Sequence, residues 1–198
     1  MGIIFKTKNG KIVHDDSLKY LKKLKDNSVD LIITSPPFAL TREKAYGNKK
    51  GDAYMKWLKE FGEIFHQKLK LEGSLVIDFG GSWAPGMPVR NLHQFKIPIM
   101  FCEDLGFHLA QEFFWWNTSK MPSPAAWVTL SRERLTDSVN YIFWFSKSPN
   151  PKANNRKILK PYSQKMLNMI KNQHYNMRKR PSGHNVSKVW AKDNGGAI

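Results

Sequence analysis

The sequence predicts an α/β fold, and three observations carry that prediction. Apolar runs of strand length, Val29–Ile33, Ser74–Ile77, Ala110–Trp116 and Val139–Phe145, alternate with stretches of helical spacing. The first two runs stop abruptly at polar turns, Thr34-Ser35-Pro36-Pro37 and Asp78-Phe79-Gly80-Gly81. Hydrophobic residues make up 41% of 198 positions, enough for one real core and too many for a disordered chain.

Taken in order, Lys11–His14 reads as a short strand. Asp16 or Ser17 caps a helix running to Leu24, with Leu18, Leu21 and Leu24 on one face. Val29–Ile33 follows as a buried strand. Residues 52–70 place Met55, Leu58, Phe61, Phe65 and Leu69 at helical spacing, and Gly73 ends that element. After Ser74–Ile77 comes a helix around Pro98–Leu105, ended by Gly106. The loop Ser119–Pro124 separates the last two strands. Trp115 or Trp116 could serve as a stacking plate for a base, but both lie in a strand-like run and read more readily as core. Beyond residue 147 the rhythm fades, and only Pro161–Lys171 looks helical. The chain thus divides into a core of residues 1–146 and an appendage of residues 147–198. This alternation implies a largely parallel sheet, whose ligands sit beyond the carboxyl ends of the strands. Both polar turns fall at that edge and are nominated as one site.

The net charge is +16 and the excess is uneven. Residues 147–198 carry 12 Lys/Arg against one acid, Asp193, whereas residues 1–146 carry 20 basic and 15 acidic side chains. A basic C-terminal segment suits a polyanion, although a solvated tail or a patch facing acidic lipid has the same charge. No run of about 18 apolar residues suggests a membrane span. The opening MGIIFKTKNGK is too short and polar for a signal peptide, and Lys6 stands where myristoylation wants Ser or Thr. A cytoplasmic protein with no membrane role is expected. The single cysteine, Cys102, excludes an internal disulfide and reads as a small apolar residue beside Phe101. No metal site is expected.

Ser35-Pro36-Pro37-Phe38 is the most informative stretch. Two prolines stiffen the backbone and remove two N–H donors, leaving carbonyls as fixed acceptors. Ser35 adds a hydroxyl and Phe38 a stacking plate. That set fits an exocyclic amine on a planar base, donating to the Pro36 carbonyl and to Ser35 while Phe38 covers the ring. An ordinary strand-ending turn with a packed Phe would read the same way. Methylation at cytosine C5 needs a nucleophilic cysteine, and Cys102 sits in an apolar helix with no proline before it. Zinc deamination needs a His-x-Glu and Pro-Cys-x-x-Cys pair, which is absent.

An ordered series of segments shifts the balance between those readings. It runs from Asp16-Ser17-Leu18 and Thr34–Leu40 (TSPPFAL) through Tyr46-Gly47-Asn48, Asp78–Gly81 (DFGG) and Ser119–Pro124 (SKMPSP). It continues with Trp144–Lys147 (WFSK), Arg180–His184 (RPSGH) and Lys192–Gly196 (KDNGG). In these the sequence resembles the β group of DNA amino-methyltransferases, nearest their cytosine-N4 branch. The resemblance implies a partial Rossmann-like methyltransferase sheet with helices on both faces, plus a basic C-terminal appendage. Residues 1–146 would be the catalytic part and residues 147–198 the start of the target-recognition region. It implies S-adenosylmethionine (AdoMet) as methyl donor, duplex DNA as substrate, and a companion restriction endonuclease linked in function only.

By the same resemblance, Ser35, Pro36, Pro37 and Phe38 hold the target amine and Asp78 works with Ser35. Asp16 lies near the adenosyl group, with Thr34 on the cofactor side. Asn117 and Lys120 shape the base pocket, and Arg178, Lys179 and Arg180 meet DNA. Adenine N6 uses the same amine geometry, but its enzymes usually carry Asp or Asn where Ser35 stands. Members also carry a glycine-rich AdoMet loop after the recognition region, where this sequence reaches Asn194-Gly195-Gly196-Ala197-Ile198. Phe79-Gly80-Gly81-Ser82 imitates such a loop, so Phe79 and Gly80 count as cofactor-binding candidates. The Trp83-Ala84-Pro85 that follows lacks the helix start a cofactor loop needs and favours the base side. An AdoMet-binding complement, in a further segment or a partner polypeptide, is therefore expected. Without it the chain would be a DNA-binding half that transfers no methyl.

Overall fold

The computed structural model describes residues 2–38, 49, 51–119, 121, 124–172 and 181–183. They divide into two compact units, Met1–Lys152 and Ala153–Ile198. The first unit extends past residue 146 because the chain after the last strand stays tied to the sheet. Lys147 Nζ donates to the Leu69 carbonyl (3.2 Å), and the Lys152 N–H donates to the Glu72 carbonyl (3.0 Å).

The first unit opens with an antiparallel hairpin, β1 (Gly2–Lys6) and β2 (Lys11–His14). The turn between them closes through the Thr7 N–H and the Gly10 carbonyl (2.7 Å). Helix α1 (Ser17–Lys22) follows, then β3 (Val29–Thr34), α2 (Gly51–Lys68) and β4 (Leu69–Phe79). Helix α3 (His93–Glu103), β5 (His108–Trp116) and β6 (Val139–Ser146) complete the unit. A short π-helical turn, Ala126–Leu130, lies in the β5–β6 connection.

The main sheet has the order β3-β4-β6-β5. β3 and β4 are parallel, while β4–β6 and β6–β5 are antiparallel. The expected largely parallel sheet is therefore mixed. β3, β4 and β5 run in the same direction, joined in turn through α2 and α3, and β6, seated between β4 and β5, runs opposite to them. Gly73 does not end a helix as expected. Helix α2 stops at Lys68, and Gly73 lies inside β4, where the β3–β4 register shifts between Val29 and Leu31. Helix α3 begins at His93, ahead of Pro98, with Leu92 as its N-cap, and Asn91 Oδ1 accepts from the His93 N–H (3.1 Å) just before it.

Strand alternation splits the sheet into two faces. One carries Leu75, Ile77, Phe79, Phe143 and Phe145, packed against Leu58 and Phe65 of α2 and Ile97 and Phe101 of α3. Phe101 and Phe145 stack at 5.2 Å, with Phe107 5.6 Å from Phe101. The opposite face carries Leu31, Ile33, Val76, Ile142, Phe113 and Trp115 by register. Leu31 is 51% exposed, Ile33 71% and Trp115 51%. Trp116 is also exposed, so the reading of both tryptophans as core is overturned: β5 is an edge strand, and α3 does not cover its far end.

The second unit contains a 3-10 turn, Asn155–Ile158, and helix α4 (Gln164–Asn172), close to the helix expected at Pro161–Lys171. Ser163 Oγ accepts from the Met166 N–H (3.3 Å) at its start, and Leu167 and Ile170 are exposed. Arg178, Lys179 and Arg180 lie outside the described residues. Among the described residues no helix is long and apolar enough to cross a membrane.

Candidate active site

Register aligns the chemistry at one edge of the sheet. Thr34 pairs with Ile77, Phe79 with Tyr141 and Trp116 with Val139. The ends of β3, β4 and β5 therefore meet the start of β6 there, and both polar turns leave from that edge. Ser35 and Pro37 are exposed, while Pro36, Phe38 and Asp78 are half-buried.

The two turns touch. The Phe38 ring lies directly on Gly80, where any Cβ would collide with it. Gly81 has the same restriction on another side, where a Cβ would meet the Arg90 guanidinium and the Gln94 amide oxygen. A side chain at Gly80 would have to displace the Phe38 ring, and one at Gly81 would have to push aside the ends of Arg90 and Gln94. The Phe79 side chain is core, 1% exposed and 6.0 Å from the Phe143 ring. Only its backbone is available to a bound group. Gly80 is likewise covered by Phe38 on its Cβ side.

An open cleft of about 700 Å³ runs from the proline turn towards the N-terminal hairpin. Thr34, Ser35, Pro36 and Pro37 form one wall, Asp15 and Asp16 another, and Trp57 and Phe61 of α2 a third. Trp57 and Phe61 meet edge to face at 4.9 Å. Asp16 is the N-cap of α1, its Oδ1 accepting from the Lys19 N–H (3.0 Å). One of its oxygens is thus engaged in holding the helix, a structural duty alongside any ligand contact. Asp15 Oδ1 accepts from the Asp16 N–H (2.9 Å). Asp15 Oδ2 is buried without a hydrogen bond among the described residues, and Lys23 Nζ at 3.8 Å is beyond hydrogen-bond reach.

These walls fit the cofactor that the sequence implies. The volume lies within the range of small-molecule sites. Asp15 Oδ2, ion-paired with Lys23 at 3.8 Å but accepting no hydrogen bond among the described residues, suits a hydroxyl donor, and the aromatic wall suits a planar base. Sequence reasoning missed Asp15 and Trp57. Asp15 adjoins a residue already singled out, but Trp57 lies off the apolar stripe assigned to α2.

Elsewhere at the edge, the Asn117 N–H donates to the Ser138 carbonyl (2.8 Å), and Asn117 Oδ1 accepts from the Ser119 N–H (3.0 Å). Asn117 thus sits where β5 leaves the sheet. Lys120, Tyr46-Gly47-Asn48 and Lys192–Gly196 lie outside the described residues. Away from the cleft, burial pushes the Tyr54 hydroxyl up to about 12, so it stays protonated. Burial also lowers the imidazole of His93, which lies 6.1 Å from the Tyr54 ring, helped by the nearby charge of Lys96.

Comparison with known proteins matches this arrangement. The sequence model of the DNA methylase family covers residues 29–196. The chain is 43% identical over 196 residues to the type II methyltransferase M.PvuII of Proteus hauseri, covering 98% of this chain and 58% of that protein. It is 28% identical over 191 residues to M.BglII of Bacillus subtilis, covering 91% of this chain and 48% of that protein. The solved structure of the PvuII DNA methyltransferase, described as cytosine-N4-specific, superimposes with a TM-score of 0.67 at 36% identity. That match covers 84% of this chain and 64% of the solved one. The chain thus spans roughly half of the length of the curated relatives it matches. With the family pattern matched from β3 onward and the fold of a solved DNA methyltransferase shared, the chain belongs to the DNA methylase family.

Proposed function

We propose that this chain is the target-base half of a site-specific DNA methyltransferase that moves a methyl group from AdoMet to the N4 amine of cytosine in duplex DNA. The observation that carries this is the junction of the two turns, with Ser35-Pro36-Pro37-Phe38 packed through Phe38 onto Gly80, beside the cleft lined by Asp15 and Asp16. The relatives' names support methylation of DNA within a restriction-modification system, and the cytosine-N4 description of the PvuII enzyme supports the target atom. A companion endonuclease linked in function and a cytoplasmic location belong to the same proposal.

AdoMet, when bound, supplies an electrophilic methyl group on a sulfonium. Asp15, Asp16 and Thr34 would hold it, with Trp57 and Phe61 as the apolar wall. The Ser35 hydroxyl and the Pro36 carbonyl accept from the target amine, and Asp78 supports Ser35. A cytosine amine is a weak nucleophile because its lone pair is conjugated into the ring. Acceptors arranged around a tetrahedral nitrogen draw that lone pair out of conjugation, and positioning then does most of the catalysis. Pro37 keeps the turn rigid, and Phe38 backs the extruded base. The base must leave the helix stack, at a cost of a few kcal/mol. Asn117 and Lys120 border the pocket. Residues 147–198, with Arg178, Lys179 and Arg180, begin the region that grips the phosphates.

A complementing part, in a further segment or a second polypeptide, completes the cofactor site. The exposed edge of β3 and the apolar face carrying Leu31 and Ile33 support that part of the proposal. The test is transfer of labelled methyl to mixed-sequence duplex DNA, by the chain alone and with the remaining part of a relative supplied, followed by identification of the product nucleoside. N4-methylcytosine is expected with the complement present. N6-methyladenine, or full activity in Ser35→Ala, would sink the assignment.

A further inference from the structure

Arg90 belongs to no motif that the family reading uses, yet its side chain is tied to three others beside the active edge. Between β4 and α3 the chain makes a small excursion. The Ala84 N–H donates to the Val89 carbonyl (2.7 Å), the Asn91 N–H donates to the Ser82 carbonyl (2.9 Å), and Trp83 bridges to Arg90. The guanidinium of Arg90 then makes three contacts. It pairs with the carboxylate of Asp137, its Nη2 donates to Gln94 Oε1 (3.3 Å), and it lies 5.3 Å from the Trp83 ring centre. Asp137 belongs to the β5–β6 connection, 47 residues away along the chain.

Two further ties join the same two segments. Arg134 Nε donates to the Pro88 carbonyl (2.8 Å), and the Trp83 and Trp127 rings lie 5.2 Å apart. The side chains of Arg90 and Asp137 are only 28% and 24% exposed, so solvent screens the pair less than a surface ion pair.

We infer that Arg90 is a positioning residue that locks residues 80–92 and 126–137 into one rigid rim and thereby sets the seat of Phe38. The link is steric and continuous. The guanidinium and Gln94 fill the space beside Gly81, the next residue back is Gly80, and Gly80 carries the Phe38 ring. Phe38 is three residues from Ser35. A rim that loosens at Arg90 therefore releases the turn against which the target-binding motif is packed. This inference rests on the methyl-transfer reading for its effect on rate, but the lock itself does not.

The experiment is a double-mutant cycle of Arg90→Ala and Asp137→Ala, read by amide hydrogen exchange on the chain and by kinetics of the complemented enzyme. Exchange should rise in both segments in either single variant, while the amides of β4 and β6 stay protected. The turnover rate should fall about 100-fold, the scale expected when a catalytic group is misplaced by about 1 Å, with little change in KM for DNA. The double variant should lose no more than either single one. Arg90→Lys, which keeps the charge but not the fork, should recover part of the rate. Faster exchange in residues 80–92 alone, or losses that simply multiply in the double variant, would overturn the lock. If the wild-type enzyme transfers no methyl, the methyl-transfer reading fails, and exchange still decides the lock.

Discussion

The two faces of the main sheet are built from the same strands and differ in almost every other respect. Along β4, Leu75, Ile77 and Phe79 point to one side and are essentially inaccessible, while Val76 and Asp78 point to the other and are half-buried. Along β6, Phe143 and Phe145 are buried in a stacked aromatic column that reaches Phe101 of α3. Across the sheet, Trp144 stacks near Phe113 at 6.4 Å, and its indole N–H donates to Ser74 Oγ (2.9 Å). The contrast teaches that an apolar strand does not announce which of its sides will be covered. Burial is decided by the helices: the stripes of α2 and α3 supply cover on one side. A row of large apolar groups left open, unlike scattered surface leucines, marks a surface suited to association.

Substitution can break or sharpen this comparison. Phe145→Ala should have the largest effect, lowering the free energy of unfolding by about 3–5 kcal/mol in urea titrations, because it empties the centre of the covered face. Ile77→Val on the same face removes one buried methyl group and should cost about 0.5–1.5 kcal/mol. Ile33→Ala on the open face should stay within about 0.5 kcal/mol of wild type. A cost there equal to that of Phe145→Ala would show the two faces to be equivalent, and the contrast would fail. The smallest effect is on pH dependence. Burial lowers His66, which meets Phe107 edge to face, and also His93, each with help from a nearby lysine. A histidine lowered in the fold binds fewer protons than its unfolded counterpart. Its contribution is complete above the ordinary value near 6.5 and is lost as pH falls below it. Tm should therefore drop slightly between about pH 7 and about pH 5.5, and the slope should flatten in a His66→Gln/His93→Gln variant.

Much of the covered face was legible in advance. β3, β5 and β6 fall within a residue or two of their expected ends, because unbroken apolar runs bounded by turns have few alternatives. The chemical oddity of Ser35–Phe38 was legible too, since paired prolines at a strand end fix local geometry. Strand direction was not, because nothing within β6 encodes which neighbour it will meet. The hairpin β1–β2 was half read: β2 was expected, but β1 was missed although Asn9-Gly10 is a strong turn signal between the two strands. Asp137 and Arg90 form no local pattern, so their pairing could be found only in three dimensions. The walls of the cleft at Trp57 and Asp15 were hidden for the same reason.

The mixed strand order has a consequence for how the chain acquires its structure. β3, α2 and β4 are consecutive, so the parallel pair at one side of the sheet can close as soon as β4 exists. The other side of β4 waits for β6, and the Ser74–Trp144 bond spans 70 residues. β5 and β6 are consecutive and pair with each other as an antiparallel ribbon, a closure of shorter span than that of β6 onto β4. Closing long loops late is slow, because chain entropy must be surrendered before the contacts reward it. Assembly is therefore expected to have two stages, a local crossover followed by docking of a preformed ribbon. During the interval the β6 side of β4 is open to any other strand in reach, which makes docking of the ribbon the step most exposed to mispairing on the ribosome or after dilution from denaturant.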